Sequence, residues 1–273
     1  MTFDITKVND SLWIFNEALK DPESVVEYFE KNKHWQDWSM FGQQALGSSF
    51  TPKTFDKFPS EDDWNIFLKT SNNGKVENLI DQIFYKTTKL YVEENNISFE
   101  NWSYKPWSIA RYDQNADGNY AMMHHTDHQR DYAYSPGEKF GITVIFYLND
   151  NYDGGEIAFK FLDEDDLSVV KEEYVHKPKA GDVLVFGSGH PNYHGVHSIT
   201  KGNKYIIRVY WRYEYPGHHL WHSLKAKYGE DTWRDMENER TMIVGNSRGV
   251  SLLHNIPFWT DFEEYYKKEI EAL

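Results

Sequence analysis

The strongest constraint on the fold is a run of short segments rich in β-branched and aromatic residues. They lie at residues 107–112, 120–127, 140–148, 155–161, 183–186 and 204–213. Turn-forming sequences such as Asp117-Gly118 and Asp153-Gly154-Gly155 separate them. A succession of short strands divided by turns predicts a sheet that closes as a sandwich or a barrel.

Helical patterns flank these strands. Residues 21–23 read Asp-Pro-Glu, a typical helix start, and residues 76–91 repeat apolar side chains at helical spacing. We therefore predict an α+β, mostly β chain that forms one domain. Its parts are an N-terminal helical support segment (1–104), a β core (105–215) and a C-terminal helical extension (216–273).

The composition disfavours several classes of function. The formal net charge of −14 opposes binding to nucleic acid or anionic membranes. The chain has no cysteine, which rules out disulfides, zinc ribbons and thiol nucleophiles. The first ten residues lack the pattern of a secretion signal, and no apolar stretch is long enough to span a bilayer. We expect a cytoplasmic protein that binds neither nucleic acid nor membrane; the oligomeric state stays open.

One tripeptide, His125-Thr126-Asp127, suggests a metal site. On a strand, residues i and i+2 point to the same face, so this imidazole and this carboxylate can converge on one ion. A chain of this composition is expected to contain one His-x-Asp sequence by chance, so the tripeptide alone carries little weight.

The motifs that follow the tripeptide along the chain strengthen the case for a metal site. A strand ends at Tyr147, and a turn with Gly154-Gly155 comes after it. An apolar strand follows at 183–186, and His194 precedes Lys204 by ten residues. A histidine, a carboxylate, a second histidine and a lysine thus follow one another in this order along the chain.

Over roughly residues 105–213, this order resembles the iron(II)/2-oxoglutarate-dependent oxygenases, specifically their prolyl 4-hydroxylase-like branch. The family's pattern is His-x-Asp, then a distal His, then Lys or Arg about ten residues later. The resemblance implies a double-stranded β-helix (jelly-roll) core. It also implies that His125, Asp127 and His194 are the catalytic Fe(II) ligands. The implied cosubstrates are 2-oxoglutarate and O2, with ascorbate as an optional reductant.

The distal histidine has three candidates in the sequence. His194 lies ten residues before Lys204, whereas His190 and His197 lie fourteen and seven residues before it. The family spacing favours His194. The other two are interpreted as loop histidines at the mouth of the site.

The resemblance also implies residues that bind 2-oxoglutarate. Its far carboxylate needs a buried cation, because an unpaired buried carboxylate is costly. Lys204 occupies the matching position, and Arg208, four residues further along the same strand face, is the alternative. Tyr147 matches a tyrosine that donates its hydroxyl to this carboxylate, and Tyr112 matches one that faces the cosubstrate.

The implied function is a dioxygenase that hydroxylates an unactivated C–H bond of a prolyl or amino-acid-like substrate and releases succinate and CO2. Asp127 favours hydroxylation, because halogenating relatives carry a small residue at this position. The partner would be a small-molecule or peptidyl substrate. Two alternatives stay open: a metabolite hydroxylase with the same chemistry, and a non-catalytic cupin-like binding module.

Overall fold

The computed structural model of the chain describes residues 2–32, 43–47, 53–71, 74–98, 102–104, 107–114, 120–125, 127, 138–162, 170–188 and 192–214. The helices are α1 (Pro22–Asn32), α2 (Glu61–Thr70) and α3 (Lys75–Glu94). The strands are β1 (Asp4–Asn9), β2 (Leu12–Asn16), β3 (Gln43–Gly47), β4 (Lys53–Phe55), β5 (Trp102–Tyr104), β6 (Ser108–Tyr112), β7 (Tyr120–His125), β8 (Glu138–Tyr147), β9 (Asp153–Gly154), β10 (Ile157–Leu162), β11 (Val170–His176), β12 (Val183–Gly187), β13 (Tyr193–His197), β14 (Ile199–Lys201) and β15 (Lys204–Glu214).

Two antiparallel sheets make up most of the described fold. The larger has the strand order β1-β2-β12-β8-β15-β5-β4, with β6 pairing to β15 and β3 pairing to β6. The smaller has the order β11-β10-β13-β7. A short pair, β9 and β14, forms a third sheet. None of the helices within the described residues is long and apolar enough to cross a membrane.

Five strands of the larger sheet, β2, β6, β8, β12 and β15, send alternate side chains to two different cores. On β15, Ile207, Val209 and Trp211 join a cluster that includes residues of α1, α2 and α3. Ile206, on the opposite face, joins a second cluster. This alternation follows from the two-residue period of a strand. The helices therefore cover one face of the larger sheet.

The second cluster lies between the two sheets. Ile145 of β8 and Leu184 of β12 belong to it together with Ile157 and Phe159 of β10. The smaller sheet thus packs on the face of the larger sheet that the helices leave uncovered. Two facing antiparallel sheets of this kind form a double-stranded β-helix, and the predicted fold class is confirmed.

A buried aspartate fixes the entry into β12. Asp182 accepts hydrogen bonds from the backbone N–H groups of Glu17, at 3.0 Å, and Lys179, at 2.9 Å. One carboxylate thereby holds the tight turn before β12 and the end of β2 together. The Lys-Ala-Gly-Asp sequence at 179–182 is explained by this turn.

The structure corrects the interpretation of residues 1–104 as a helical support. The predicted helices at 21 and 76–91 are present as α1 and α3, and α2 was not predicted. The segment also contains β1 to β5, all of which join the larger sheet. The apolar run of β2 is buried because it pairs with β12 in the sheet. The predicted extension at 216–273 lies outside the described residues, and the domain division stays a prediction.

Candidate metal centre

A pocket opens between the two sheets. The space in the pocket, together with the open solvent at its mouth, is about 550 Å³. The described residues that line it are Tyr112, Met122, His125, Asp127, Ile145, Tyr147, Ile157, His194, Val196, Ile199, Lys204, Ile206, Arg208 and Tyr210. Every site residue predicted from the sequence is among them.

Three potential metal ligands meet at one place in this pocket. His125 is the last residue of β7 and pairs directly with His194 of β13. Asp127 follows two residues after His125, with its carboxylate oxygens 3.3 Å from His125 Nε2 and 3.6 Å from His194 Nε2. One ligand atom from each residue lies within 4.8 Å of the others. The three side chains can hold a single ion.

Neighbouring polar groups orient these ligands. Thr143 Oγ1 donates to Asp127 Oδ2 at 2.9 Å and shares a 2.8 Å hydrogen bond with Ser188. His194 Nδ1 lies 3.0 Å from the carbonyl oxygen of Asn192. A proton on Nδ1 satisfies that carbonyl and leaves the lone pair of His194 Nε2 facing the pocket. Such outer hydrogen bonds fix the ring orientation that metal binding requires.

The protonation states also suit a metal. Burial raises the pKa of Asp127, but the two imidazoles and the Thr143 hydroxyl outweigh burial and hold that pKa well below its usual range. Burial lowers the pKa of His194, which favours the neutral ring. Metal ions bind ionised carboxylates and neutral imidazoles. The donor set of two imidazoles and one carboxylate, with open positions, fits iron(II).

The structure separates the competing histidines. His194 lies in the pocket wall, whereas His197 of the same strand places Nδ1 3.4 Å from Glu156 Oε2. His190 lies outside the described residues. His124 packs its ring 5.5 Å from Tyr193, and burial together with nearby positive groups lowers its pKa to about 4. The geometry brings His194 to the metal position and directs His197 elsewhere.

Lys204 closes the inner end of the pocket. Its side chain is 3% exposed, and Nζ donates to the Gly155 carbonyl at 2.6 Å. Burial, with the nearby charge of Lys177, lowers the pKa of Lys204 to about 7. Gly155 has φ +68°, and a Cβ there would lie 2.9 Å from Tyr152 and 3.3 Å from Lys204 Cδ. A glycine at this turn gives the lysine room to reach the pocket.

The other residues predicted to bind 2-oxoglutarate line the same pocket. Tyr147 is 1% exposed, and its ring centroid lies 5.0 Å from Lys204 Nζ. Tyr112 is buried, and Arg208 is partly buried on the same face of β15 as Lys204. The structure therefore brings all four side chains together, while their roles stay predictions.

Several residues that surround the site were not identified from the sequence. Tyr210 continues the alternate row that begins with Lys204 and Arg208, so strand periodicity could have identified it. Thr143 is a polar residue within an apolar strand, a second usable signal. Ser188 and Asn192 gave no signal, because their contacts depend on how the loop after β12 folds.

Comparisons with known proteins agree with this geometry. Residues 107–212 match the family model described as 2OG-Fe(II) oxygenase superfamily. Prolyl 3-hydroxylase 2 of Mus musculus is 32% identical over 68 residues, which are 25% of this chain and 9% of that protein. The chain spans about a tenth of the length of the curated relatives it matches.

Two solved structures are similar in outline. The viral collagen prolyl hydroxylase of Paramecium bursaria Chlorella virus-1 is 17% identical, with a TM-score of 0.46, and the match covers 79% of this chain and 97% of that one. A Pseudomonas putida prolyl-4-hydroxylase is 17% identical, with a TM-score of 0.44, and covers 75% and 94%.

The resemblance predicted from the sequence is confirmed over residues 107–212, which match the model of the 2OG-Fe(II) oxygenase superfamily. That superfamily takes its name from iron(II) and 2-oxoglutarate. The strands β6 to β15, with both histidines, Asp127 and Lys204, lie almost entirely within the matched residues.

Proposed function

We propose that the protein is an Fe(II)- and 2-oxoglutarate-dependent dioxygenase that hydroxylates an unactivated C–H bond of a prolyl or amino-acid-like substrate, with release of succinate and CO2. One observation carries the proposal. A His, Asp, His group lies at one position of a pocket whose inner end holds the buried cation Lys204. This arrangement suits a dicarboxylate that binds a metal at one end and an ammonium group at the other.

Each residue has a defined task in this proposal. His125, Asp127 and His194 hold the metal from one side and leave adjacent coordination positions open. Thr143 keeps the Asp127 carboxylate in place, and the Asn192 carbonyl keeps His194 in the ligating tautomer. When bound, iron(II) with 2-oxoglutarate supplies the oxidising chemistry.

The inner end of the pocket binds the far carboxylate of 2-oxoglutarate. Lys204 is protonated when the dianion binds, and it moves its hydrogen bond from the Gly155 carbonyl to the carboxylate. Tyr147 donates its hydroxyl to the same carboxylate. Burial raises the pKa of Tyr147, so this hydroxyl keeps its proton.

The proposed substrate class rests on the named relatives, whereas the proposed metal site rests on the geometry of the pocket. The named relatives are prolyl hydroxylases, which favours a prolyl substrate, small or peptidyl. A metabolite hydroxylase with the same chemistry is the second candidate, because the pocket residues that carry the chemistry would be unchanged. Against a non-catalytic binding module, the chain retains both histidines, the aspartate and the lysine in one pocket.

The test needs no substrate. Anaerobic addition of Fe(II) and 2-oxoglutarate should produce a weak metal-to-ligand charge-transfer band in the visible spectrum. Asp127→Ala should lack the band. His197→Ala is the matched control, because this histidine points to Glu156 and should leave the band intact. A wild-type protein without the band, or an Asp127→Ala protein that shows it in full, would overturn the proposal.

A further inference from the structure

The side chain of Asn192 is fully buried beside the candidate metal centre, yet it does not line the pocket. Its Nδ2 donates to the Gly187 carbonyl at 2.9 Å and to the Ser11 carbonyl at 3.3 Å. Its Oδ1 lies 3.1 Å from the hydroxyl oxygen of Ser11, which can donate to it. A buried amide whose donors and acceptor all have partners can hold separate segments in one arrangement.

These contacts close the loop that joins β12 to β13. Gly187 is the last residue of β12, and Asn192 immediately precedes β13. The hydrogen bond from Asn192 Nδ2 to the Gly187 carbonyl therefore ties the two ends of the loop together. Fixing both ends restricts the backbone on either side of the loop.

Each end of this loop supports a different candidate metal ligand. At one end, the carbonyl oxygen of Asn192 lies 3.0 Å from His194 Nδ1. At the other end, the buried Ser188 shares a 2.8 Å hydrogen bond with Thr143, and Thr143 donates to Asp127. Because the Asn192 amide ties the two ends, it acts on both ligands at once.

The loop is anchored to the N-terminal part of the chain through one carbonyl group. The carbonyl oxygen of Ser11, in the turn between β1 and β2, accepts from the Gly187 N–H at 3.2 Å and from Asn192 Nδ2. The Tyr91 hydroxyl of α3 donates to the same oxygen at 3.0 Å. Ser11 and Tyr91 lie outside residues 107–212, which match the oxygenase family model. Parts of the chain beyond the family segment thus contact the supports of the metal ligands.

We propose that Asn192 is a positioning residue for the metal centre. Its amide holds the loop between β12 and β13 against the hairpin of β1 and β2, and the loop in turn holds His194 and Asp127 in their ligating arrangement. The inference rests on the metal site of the proposed function and makes that site depend on Ser11 and Tyr91.

The hydrogen bond to His194 explains why the position of the loop matters. A neutral imidazole carries its proton on one of its two nitrogens, and the metal needs the lone pair of Nε2. The proton must then stay on Nδ1, facing the Asn192 carbonyl. A shift of the loop weakens this hydrogen bond and lets the ring turn or change tautomer, which lowers the affinity for the metal.

The first experiment measures the affinity for Co(II), whose absorption bands report its ligands, without 2-oxoglutarate or O2. Asn192→Leu keeps a similar volume but removes the hydrogen bonds, and it should raise the Kd for Co(II) about tenfold or more. Asn149→Leu is the matched control. Asn149 also joins separate segments, donating to the Asn203 carbonyl and accepting from the Tyr205 N–H, each at 2.8 Å, but it lies outside the pocket. Equal Co(II) affinity in the two variants would overturn the inference.

The second experiment examines the ring of His194 and does not depend on the folding of Asn192→Leu. The metal-free wild-type protein is labelled with ¹⁵N-histidine, and the His194 signals are identified by their loss in His194→Gln. NMR should show a single tautomer with the proton on Nδ1. A proton on Nε2, or exchange between the two tautomers, would overturn the inference. In Asn192→Leu, both tautomers should appear.

The third experiment tests the anchor with a double-mutant cycle. Tyr91→Phe removes one donor to the Ser11 carbonyl and should raise the Kd for Co(II) about two- to tenfold, as expected for one neutral hydrogen bond. In the Asn192→Leu background it should have little further effect, because the loop is already released. An equal effect in both backgrounds contradicts the anchoring through Asn192.

The two proposals fail in different ways. If the wild-type protein binds Co(II) but gives no charge-transfer band with Fe(II) and 2-oxoglutarate, the proposed function is wrong, and the Asn192 comparison still decides how the metal site is held. If the band appears and Asn192→Leu binds Co(II) as the wild type does, only the inference is wrong. If the wild-type protein binds no divalent ion, both are wrong.

Discussion

The two faces of the larger sheet carry different kinds of residue on the same strands. Facing the helices, Trp211 is fully buried, with its ring centroid 5.2 Å from that of Phe84 and 5.7 Å from that of Trp64. Facing the pocket, the same strand presents Lys204 and Arg208. Adjacent positions in the sequence therefore serve different purposes.

Along one strand, side chains that stabilise the fold therefore alternate with side chains that line the pocket. The helix face gains its free energy from burying large aromatic side chains, which pack in edge and stacked arrangements. On the pocket face, burying charged and polar groups lowers the free energy of unfolding. Substitutions on the helix face should change the free energy of unfolding, and those on the pocket face should change ligand binding.

The largest expected effect is on the pocket face. Asp127→Ala should lower iron retention and succinate formation more than about a hundredfold, because two imidazoles alone hold a labile Fe(II) poorly. Bound iron after gel filtration and succinate formation are the measurements. The melting temperature without metal should change little, since the core packing is untouched. Asp113→Ala, an exposed carboxylate, is the control. Full turnover by Asp127→Ala would show that the metal ligands are assigned wrongly.

The helix face should give the opposite result. Trp211→Ala should lower the free energy of unfolding by about 3–5 kcal/mol, because it leaves a large cavity among packed rings. Urea denaturation measures the change, and Trp211→Phe should cost less. Metal affinity of the folded protein should stay within a few-fold of the wild type. A large loss of metal affinity without a loss of stability would erase the distinction between the faces.

Lys204→Ala should raise the apparent 2-oxoglutarate requirement by about ten- to a hundredfold, consistent with the loss of one charge-assisted hydrogen bond. Iron binding should change little. The dependence of succinate formation on 2-oxoglutarate concentration, with bound iron measured in parallel, checks both parts. If Arg208→Ala had this effect and Lys204→Ala did not, the roles of the two cations would have to be exchanged.

A pH dependence follows from the lowered pKa of Lys204. Its folded value of about 7 lies below the ordinary 10.5, so the folded protein binds fewer protons than the unfolded chain between those values. The free energy of unfolding should therefore rise with pH in this window. In the proposed function, 2-oxoglutarate binds the protonated form of Lys204, so its Kd should rise by up to about tenfold per pH unit above 7.

Calorimetric titrations check this dependence. At pH 8, in two buffers that differ in ionisation enthalpy, they should reveal proton uptake when 2-oxoglutarate binds, and Lys204→Met should abolish it. A Kd for 2-oxoglutarate that stays flat from pH 7 to 9 contradicts the expectation.

The smallest effect should come from a residue that contacts a candidate metal ligand but does not itself bind the metal. Thr143→Val removes the hydroxyl that binds Asp127 and should weaken metal affinity about tenfold. Thr143→Ser keeps the hydroxyl and should retain most of the affinity. Competition with a metal indicator dye measures both. An equal loss in the serine variant would point to packing rather than to the hydrogen bond.

The three side chains that meet in the pocket could be predicted from the sequence, because metal binding fixes residue types and spacing. His125 and Asp127 are two residues apart in the sequence, although β7 ends at His125, and the ten-residue interval from His194 to Lys204 is a local signal. Each of the six predicted strand segments overlaps an observed strand for the same reason, since strand propensity and turn residues act over a few positions.

Other features depended on contacts between distant parts of the chain. The apolar run of β2 could be a helix segment or a strand, and its partner β12 decides the outcome. The strand that carries His194 was not predicted, because Gly195 interrupts its pattern. That glycine allows close packing, since a Cβ there would lie 2.9 Å from His124 Nδ1. The hydrogen bond from Thr143 to Asp127 likewise joins separate segments.

The pairing of β2 with β12 also has a consequence for synthesis. Phe15 meets Val183, so the N-terminal hairpin joins the sheet only after about 170 further residues have been made. At typical elongation rates, the ribosome needs on the order of ten to thirty seconds for this stretch. During that time the apolar segment from Leu12 to Phe15 lacks its sheet neighbour. The larger sheet therefore cannot be completed until β12 has been synthesised. A chaperone that binds exposed apolar segments would act during this interval.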